Sequence, residues 1–138
     1  MPTLLNPYLG FRDTARQAME FYQTVFGGEL MLSTFAEIQA SDDPSENDKI
    51  MHGVLTSPSG LVIMGADTPN RMDYTPGDNF SVSLSGDDEP ELRGYWDKLA
   101  ADGTVTEQLA KAPWGDSFGM VTDKFGVSWL VNISAPSD

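Results

Sequence analysis

Residues 6–28, NPYLGFRDTARQAMEFYQTVFGG, decide the fold that this sequence predicts. Asn6–Phe11 is a candidate strand, and a candidate helix follows from Asp13 to Phe26. Gly27-Gly28 supplies the left-handed residue that ends a helix, and Asp13 is a suitable N-cap. The apolar residues of the helix recur at the 3.6-residue period and so share one face: Ala15, Ala18, Met19, Tyr22, Val25 and Phe26. This face predicts a helix packed on a sheet.

The second half of the chain repeats this pattern. Asn79–Leu84 is a candidate strand, and a helix is predicted from Asp88 to Leu99, with a stop near Asp102-Gly103. Asp88 and Glu91 have the spacing of a capping box. Each half also has a Gly-containing turn before its last strand, at Ser57–Gly60 and at Asp123–Gly126. A repeat of about 60 residues predicts two equal supersecondary modules.

Six further short segments complete the two modules. They are bounded by Gly, Pro, Asp or Ser, which is typical of strands: Glu29–Ala36, Met51–Thr56, Leu61–Ala66, Thr104–Leu109, Phe118–Thr122 and Val127–Ile133. Each module is then strand, helix and three strands. We predict a single domain over residues 1–138, with module one at about 1–67 and module two at about 78–134. The helix of each module covers one face of its sheet, which leaves the other face to line a cavity.

The composition excludes several classes of partner. The net charge is −13, and the 8 basic residues are scattered along the chain. Binding to DNA or RNA needs a cluster of Lys and Arg, and an anionic membrane surface repels an acidic protein, so we expect neither partner. The longest apolar stretch, Leu61–Ala66, is too short to cross a bilayer. Without cysteines or a basic N-terminal segment, the sequence predicts a cytoplasmic protein. The acidity serves solubility or attracts a cationic ligand, and the sequence leaves both open.

His52 is the single histidine and the residue most suited to proton transfer near neutral pH. Two interpretations stay open: a hydrogen-bonded structural histidine in a strand, or an acid/base or ligand donor in a pocket. Trp114, in a loop after Pro113, is a candidate for the rim of that pocket.

Two loops and one motif have structural explanations. Glu37–Lys49 is acidic but lacks the Gly and Glu positions of a calcium loop, so we predict a solvated loop. Asp67–Gly77 joins the modules, and its Arg71, Met72 and Tyr74 are placed to cover an opening. The segment Gly115–Gly119 matches a nucleophile elbow, but a strand follows it and the histidine precedes it, so we predict a hairpin turn.

Strand alternation predicts which side chains face the cavity. In the first strand Leu5, Leu9 and Phe11 suit the helix side, which leaves Asn6 and Tyr8 for the cavity. In the fifth strand the residues predicted to face the second helix are Phe80, Val82 and Leu84, which leaves Asn79 on the other side.

The sequence resembles one superfamily over about residues 4–133. The matching segments are Tyr8–Phe11, Ala18–Tyr22, Phe26–Gly28, Met51–Gly53, Gly77–Val82 and, most specific, Trp114–Met120 with Thr122–Trp129. They are similar to the vicinal oxygen chelate superfamily, the glyoxalase/bleomycin-resistance/dioxygenase fold, and within it to the PhnB-like branch. The resemblance implies an α+β fold in which two βαβββ modules form an open, curved, eight-stranded mixed sheet.

Metal-dependent members of this superfamily hold one divalent ion with His, Glu or Gln side chains on the first and last strands of each module. Those positions fall here at Asn6, Met64, Asn79 and Leu130. Amides and thioethers are weak ligands for such cations, so we expect no metal and no other cofactor. The branch also carries a ubiquinone-methyltransferase name, but the sequence has no Gly-rich loop after the first strand of an alternating α/β pattern, as a methyl-donor site would need.

The resemblance implies a protein that holds a small, partly apolar molecule in a concave site, in the manner of the drug-binding resistance proteins. The expected ligand-binding residues are Asn6, Tyr8, His52, Met64, Asn79 and Leu130, with Trp114 at the rim. The alternative is an enzyme of unknown reaction, of the lyase or isomerase type, with His52 or a nearby carboxylate as acid/base. Open sheet edges and the habit of the superfamily predict a homodimer.

Overall fold

The computed structural model describes residues 3–39 and 41–135. Its elements are β1 Tyr8–Phe11, α1 Ala15–Phe26, β2 Glu29–Thr34, β3 Ile50–Thr56, β4 Val62–Asp67, β5 Val82–Gly86, α2 Glu89–Ala100, β6 Thr104–Lys111, β7 Ser117–Thr122 and β8 Ser128–Ile133, with a 3₁₀ turn at Pro44–Glu46. This order is strand, helix and three strands, twice, so the two predicted βαβββ modules are confirmed. The chain divides into two compact units, Met1–Gly77 and Asp78–Asp138, each with one module. None of the described helices is long and apolar enough to span a membrane.

Each module has a four-stranded mixed sheet. The strand orders are β1-β4-β3-β2 and β5-β8-β7-β6. The first and last strands of each module run parallel, and the remaining neighbours are antiparallel. The parallel pairs are equivalent in the two sheets: Leu9 of β1 lies opposite Gly65 of β4, and Leu84 of β5 lies opposite Val131 of β8. The eight predicted strands are therefore present as two sheets of the same topology.

The predicted apolar face of α1 is buried. All six residues on it are at most 5% exposed: Ala15, Ala18, Met19, Tyr22, Val25 and Phe26. In the second module Leu92, Trp96 and Leu99 of α2 are buried against β5, β7 and β8. Burial of such stripes is the main source of stability for helices of this length.

The start of α1 differs from the prediction. Thr14 occupies the N-cap, with no side-chain hydrogen bond, and Asp13 has φ 70°. The cap comes instead from Asp67, at the end of β4, whose Oδ1 accepts a hydrogen bond from Ala15 N at 3.0 Å. In α2 the predicted N-cap is confirmed, because Asp88 Oδ1 accepts from Glu91 N at 3.1 Å.

The two Gly-containing turns are equivalent in backbone structure. Ser57 N donates to Leu61 O at 2.9 Å, and Asp123 N donates to Val127 O at 2.9 Å. Each turn closes with a glycine at positive φ, 95° at Gly60 and 90° at Gly126, a conformation that favours glycine. The repeat inferred from sequence thus extends to individual hydrogen bonds.

The first strand of each module begins later than predicted. β1 starts at Tyr8 and β5 at Val82, so Asn6 and Asn79 both precede the strands. Leu5 is fully exposed and Phe80 is 56% exposed, so the prediction that they pack toward the helices is wrong. The two parallel ladders begin with Tyr8 opposite Met64 and with Val82 opposite Trp129, and a strand ends where its partner no longer supplies hydrogen bonds.

Candidate functional site

The candidate site lies on the face of the first sheet that is turned away from α1. On the helix side, Gly53 lies opposite Gly65, and a Cβ on either would lie within 3.4 Å of Met19. Strand alternation places the neighbouring residues on the other face. There the registers Tyr8 to Met64 and Met64 to Val54 give a row of side chains across three strands.

This row is apolar and accessible. Met64 and Val54 are half-buried, Tyr8 is 53% exposed, and the row ends at Met31 on β2, which lies opposite Val54 and is 72% exposed. Methionine side chains are flexible and polarisable, so they adapt to ligands of different shape. The row is referred to below as the open-face row.

Tyr8 and His52 form a polar pair on this face. Tyr8 Oη lies 3.0 Å from His52 Nδ1, and the two rings stack with centroids 5.7 Å apart. Burial raises the pKa of the Tyr8 phenol. The second imidazole nitrogen, Nε2, donates or accepts a hydrogen bond according to the tautomer.

A bulge explains why Ile50 and His52 lie on opposite faces of the sheet. Ser33 pairs with His52, but the next residue, Thr34, pairs with Ile50, so Met51 is an extra residue in β3. A bulge of this kind shifts the alternation by one residue. Ile50 is consequently buried, while His52 reaches Tyr8.

The outer edge of β1 is covered by the loop that follows β4. Pro7 O and Phe11 O accept hydrogen bonds from Met64 N and Thr68 N, so by alternation the Gly10 carbonyl points to the free edge. Tyr74 Oη donates to Gly10 O at 3.5 Å. The loop residue Tyr74 therefore lies at the edge of the sheet beside Gly10.

Arg12 holds this loop in place. Its Nη2 donates to Pro69 O at 3.3 Å and to Met72 O, and its Cζ lies 5.5 Å from the centre of the Tyr74 ring. The sequence analysis predicted that the segment Asp67–Gly77 covers an opening, and it singled out Tyr74. It did not indicate Arg12 as the partner of Tyr74.

The second module has its own open face. Leu130 of β8 is half-buried and lies between Ser83 and Met120 in the ladder. Trp114, in the turn between β6 and β7, is 66% exposed, and its ring lies 6.4 Å from that of Phe118. The segment Gly115–Gly119 thus forms the turn and start of a hairpin, as predicted.

Asp116 anchors this hairpin turn. Its carboxylate accepts hydrogen bonds from Ala135 N at 2.9 Å and from Asn132 Nδ2 at 3.2 Å. The hydrogen bond from the Ala135 backbone, followed by that from Asn132, lowers the pKa of Asp116. The turn on which Trp114 lies is thereby tied to the end of β8.

The structure brings together three of the seven predicted site residues. Tyr8, His52 and Met64 share the open face of the first sheet, and Asn6 is half-buried just before β1. Leu130, Trp114 and Asn79 belong to the second unit, in β8, in the hairpin turn and in a bend before β5, respectively. Sequence reasoning missed other residues on the open faces of the two sheets, although the two-residue alternation of side chains along a strand would have indicated them: Met31, Val54, Phe118, Met120 and Asn132.

The donor groups do not suit a divalent metal. The parallel registers place Tyr8, and not Asn6, opposite Met64, and they place Ser83 opposite Leu130. Neither the four positions predicted from sequence nor the four positions that the registers pair contain a carboxylate or an imidazole, the groups that bind such cations strongly. Within residues 3–39 and 41–135, no three His, Asp or Glu side chains cluster as metal ligands would.

A polar cavity of about 430 Å³ lies elsewhere in the first unit, beside the start of α1. It is lined by Asp13, Arg16, Gln17, Ser45, Asp48, Lys49, Asp67 and Asn70. Lys49 Nζ lies 3.0 Å from Asp13, 3.1 Å from Glu46 and 2.8 Å from Asn70 Oδ1, which uses all three of its protons. Because its buried groups already have partners, we assign this cavity a structural role.

Comparison with known proteins identifies the family. The sequence profile of the 3-demethylubiquinone-9 3-methyltransferase family matches residues 4–132. The chain belongs to this family. It is 33% identical to the crystal structure of protein PA1353 from Pseudomonas aeruginosa, with coverage of 98% of this chain and 100% of the other and a TM-score of 0.82. It is 25% identical to the PhnB protein of Bacillus cereus, over 96% of this chain and 100% of that one, with a TM-score of 0.70.

The same fold occurs in a solved structure of lower sequence identity. A glyoxalase/bleomycin resistance protein/dioxygenase family enzyme from Burkholderia phytofirmans is 15% identical, covers 93% of this chain and 95% of its own length, and has a TM-score of 0.60. The predicted PhnB-like membership and the glyoxalase/bleomycin-resistance fold are therefore confirmed.

Proposed function

We propose that this protein binds a small, partly apolar molecule on the open face of its first module, without a metal. The observation that carries this proposal is the Tyr8–His52 pair on the open-face row. A stacked phenol and imidazole offer flat apolar surface, and His52 Nε2 offers one directed hydrogen bond. An apolar lining with a few placed polar groups is characteristic of small-molecule sites.

The family name describes methyl transfer, but the chain does not fit a methyl-donor site of the usual kind. Such sites lie after the first strand of a parallel sheet, in a Gly-rich loop. Here β1 is followed by Arg12-Asp13-Thr14, and only one pair of strands in each sheet is parallel. The proposed function therefore includes no methyl transfer.

A titration with a neutral aromatic probe tests the binding proposal. Benzyl alcohol is added to the ¹⁵N-labelled protein, and we expect saturable shifts at the amides of Tyr8, Val54 and Met64. Tyr8→Ala removes the stacking surface and should weaken binding at least threefold. The matched control is Tyr95→Ala on α2, which should change the affinity by less than twofold. Shifts confined to other regions, or none that saturate, would contradict the proposal.

The second candidate function is catalysis of the lyase or isomerase type, with His52 as acid/base. The observation that favours it is the 3.0 Å contact of Tyr8 Oη with His52 Nδ1, which orients the imidazole. Metabolites that raise the unfolding temperature would be incubated with the protein and followed by proton NMR. Conversion by the natural protein but not by His52→Gln supports catalysis, and binding without conversion supports the first proposal.

We also propose that the protein is a cytoplasmic homodimer. The loop after β4 already covers the outer edge of β1. The further outer strands are β2 in the same sheet and β5 and β6 in the other, and exposed edges tend to be paired or covered. A chain without cysteine suits a reducing compartment. Light scattering at micromolar concentration and moderate salt measures the mass, and a monomeric value would refute the dimer.

A further inference from the structure

The outer edge of β2 has backbone groups that point away from its sheet. β2 pairs only with β3, and Phe35 N, directly after β2, donates to Lys49 O at 2.9 Å. In an antiparallel pair, successive residues direct their N–H and C=O groups alternately toward the neighbouring strand and away from it. The extra residue of the bulge lies in β3, so this alternation is continuous along β2. The even-numbered residues of β2, including Leu30 and Leu32, therefore direct these groups to the free edge.

Side chains close this edge at both ends and leave its middle open. Gly28 O, before β2, accepts a hydrogen bond from Gln23 Nε2 at 3.0 Å, and Thr34 N donates to Glu37 Oε1 at 3.3 Å. Both backbone groups belong to even-numbered residues, in agreement with the alternation. Between them, the N–H and C=O groups of the two leucines have no hydrogen-bond partner among the described residues. Two donors and two acceptors thus remain on a short stretch of an edge strand.

This stretch is uncharged and accessible. Met31, between the two leucines, is 72% exposed and ends the open-face row. Residues 30–34 carry no charge, in a protein whose net charge is −13. Natural sheets protect their edges from pairing with charges, Pro or bulges in the edge strand. The middle of β2 has none of these.

The equivalent strand of the second module, β6, is protected. Its ladder with β7 has register shifts on both sides of Glu107. Glu107 lies opposite Met120 and Met120 opposite Leu130, which is the position that Met31 occupies in the first sheet. If β6 paired with its own copy at this position, two carboxylates would face each other, and like charges directly opposite are destabilising. Self-pairing therefore suits β2 and not β6.

We propose that β2 pairs antiparallel with β2 of a second copy of this chain, with Met31 at the two-fold axis. Leu30 then lies opposite the partner's Leu32, and Leu32 opposite the partner's Leu30. Two hydrogen bonds in each of these pairs satisfy all the free edge groups of both copies. Glu29 lies opposite the partner's Ser33, so no like charges meet. The inference rests on the homodimer of the proposed function and states which surface forms it.

The pairing makes the proposed binding surface common to both copies. Side chains of directly opposite residues project from the same face of a sheet, so Met31 and the partner's Met31 lie side by side on the open face. The open-face row of one copy then continues into that of the other. A ligand at this end of the row contacts a methionine from each copy.

Charges at Met31 test the position of the two-fold axis. Met31→Glu and Met31→Lys each place like charges opposite one another, and each should raise the dissociation constant of the dimer at least tenfold in sedimentation equilibrium. Met31→Lys makes the net charge less negative, so overall repulsion does not explain its dissociation. An equimolar mixture of the two variants should form a heterodimer. Met72→Glu, at a loop methionine that is 48% exposed, is the matched control and should leave the dimer unchanged.

A disulfide tests the register directly. The chain has no cysteine, and opposite residues in a non-hydrogen-bonded pair have Cα atoms about 4.5 Å apart, within the range of a disulfide. Met31→Cys should therefore give a covalent dimer when its thiols are oxidised with diamide. Met72→Cys, treated in the same way, should stay mostly monomeric on a denaturing gel.

The outcomes separate this proposal from the proposed function. A monomeric natural protein overturns the homodimer and the β2 pairing together, whereas binding of benzyl alcohol by that monomer would keep the ligand-binding proposal. A natural dimer that survives Met31→Glu, or that Met31→Cys does not cross-link, overturns the β2 pairing alone. If a charged variant unfolds, the cross-link of Met31→Cys decides.

Discussion

Asp67→Asn is expected to destabilise the first module strongly, although it changes a single atom. Asp67 is 6% exposed; its Oδ1 accepts from Ala15 N at 3.0 Å and its Oδ2 accepts from Ile50 N at 2.9 Å. The side chain therefore joins the start of α1 to the start of β3, two residues before His52. An amide retains one acceptor and directs an N–H group at the other backbone donor.

The magnitude follows from the two hydrogen bonds. A hydrogen bond to a charged group contributes about 1.5–3 kcal/mol, and a buried donor without a partner costs about 1–3 kcal/mol. Asp67→Asn should therefore lower the free energy of unfolding by about 2–4 kcal/mol, and Asp67→Ala, which removes both acceptors, by about 3–6 kcal/mol. With a urea m-value of about 2 kcal/mol/M, the middle of the usual range, the midpoint moves by about 1–2 M for the Asn variant.

Urea unfolding followed by circular dichroism measures this change, and amide exchange of Ala15 and Ile50 locates it. Asp97→Asn, an exposed charge removal on α2, is the matched control and should stay within about 0.5 kcal/mol of the natural protein. A loss below 0.5 kcal/mol for Asp67→Asn, with both amides still protected, would refute the reasoning.

Three further predictions concern packing and pH. Gly119→Ala should cost about 1–3 kcal/mol in urea unfolding, because the added Cβ would lie 2.8 Å from the Trp96 ring; stability within 0.5 kcal/mol would contradict this. Hydrogen bonds from Asn70 N and Ser41 lower the pKa of Glu46 from 4.5, so its stabilisation is present above that pH and is lost on acidification. Glu46→Gln should therefore weaken the pH dependence of the urea midpoint between about pH 3 and 5. A pH profile parallel to that of the natural protein would count against this prediction. Burial raises the pKa of Tyr8 from 10.0, so ionisation of this residue in the unfolded chain lowers the stability of the natural protein above pH 10. Tyr8→Phe lacks the phenol, so its stability, measured by thermal unfolding, should fall less steeply there; identical slopes would exclude this.

The elements of the fold could be predicted because their signals are local. The apolar period of α1 and the repeat of strand, helix and turn lie within short stretches of the chain. The errors occur where a distant residue decides. Asp13 was a reasonable N-cap by type, but the cap comes from Asp67 across the sheet. Asn79 precedes β5 because the extent of a strand depends on its partner, β8.

The candidate site was only partly accessible to sequence reasoning. Alternation in β1 identified Tyr8, since its period is undisturbed. The face of His52 was obscured because the bulge at Met51 breaks the alternation of β3. The contact of Arg12 with Tyr74 joins a strand end to a loop about 60 residues later in the chain, and no short-range pattern specifies such a pairing.

The two equivalent turns imply that the modules open locally at different rates. In the first turn Ser57 Oγ accepts from Leu61 N and shares a hydrogen bond with Ser59 Oγ, and both partners lie within the turn. In the second, the Asp123 carboxylate accepts from Phe125 N and Val127 N and also from Trp129 Nε1, which lies in the core. Opening the second turn must therefore disturb a buried tryptophan, whereas opening the first does not. The same backbone design is thus a low-energy opening unit in one half of the chain and a part of the slowly exchanging core in the other.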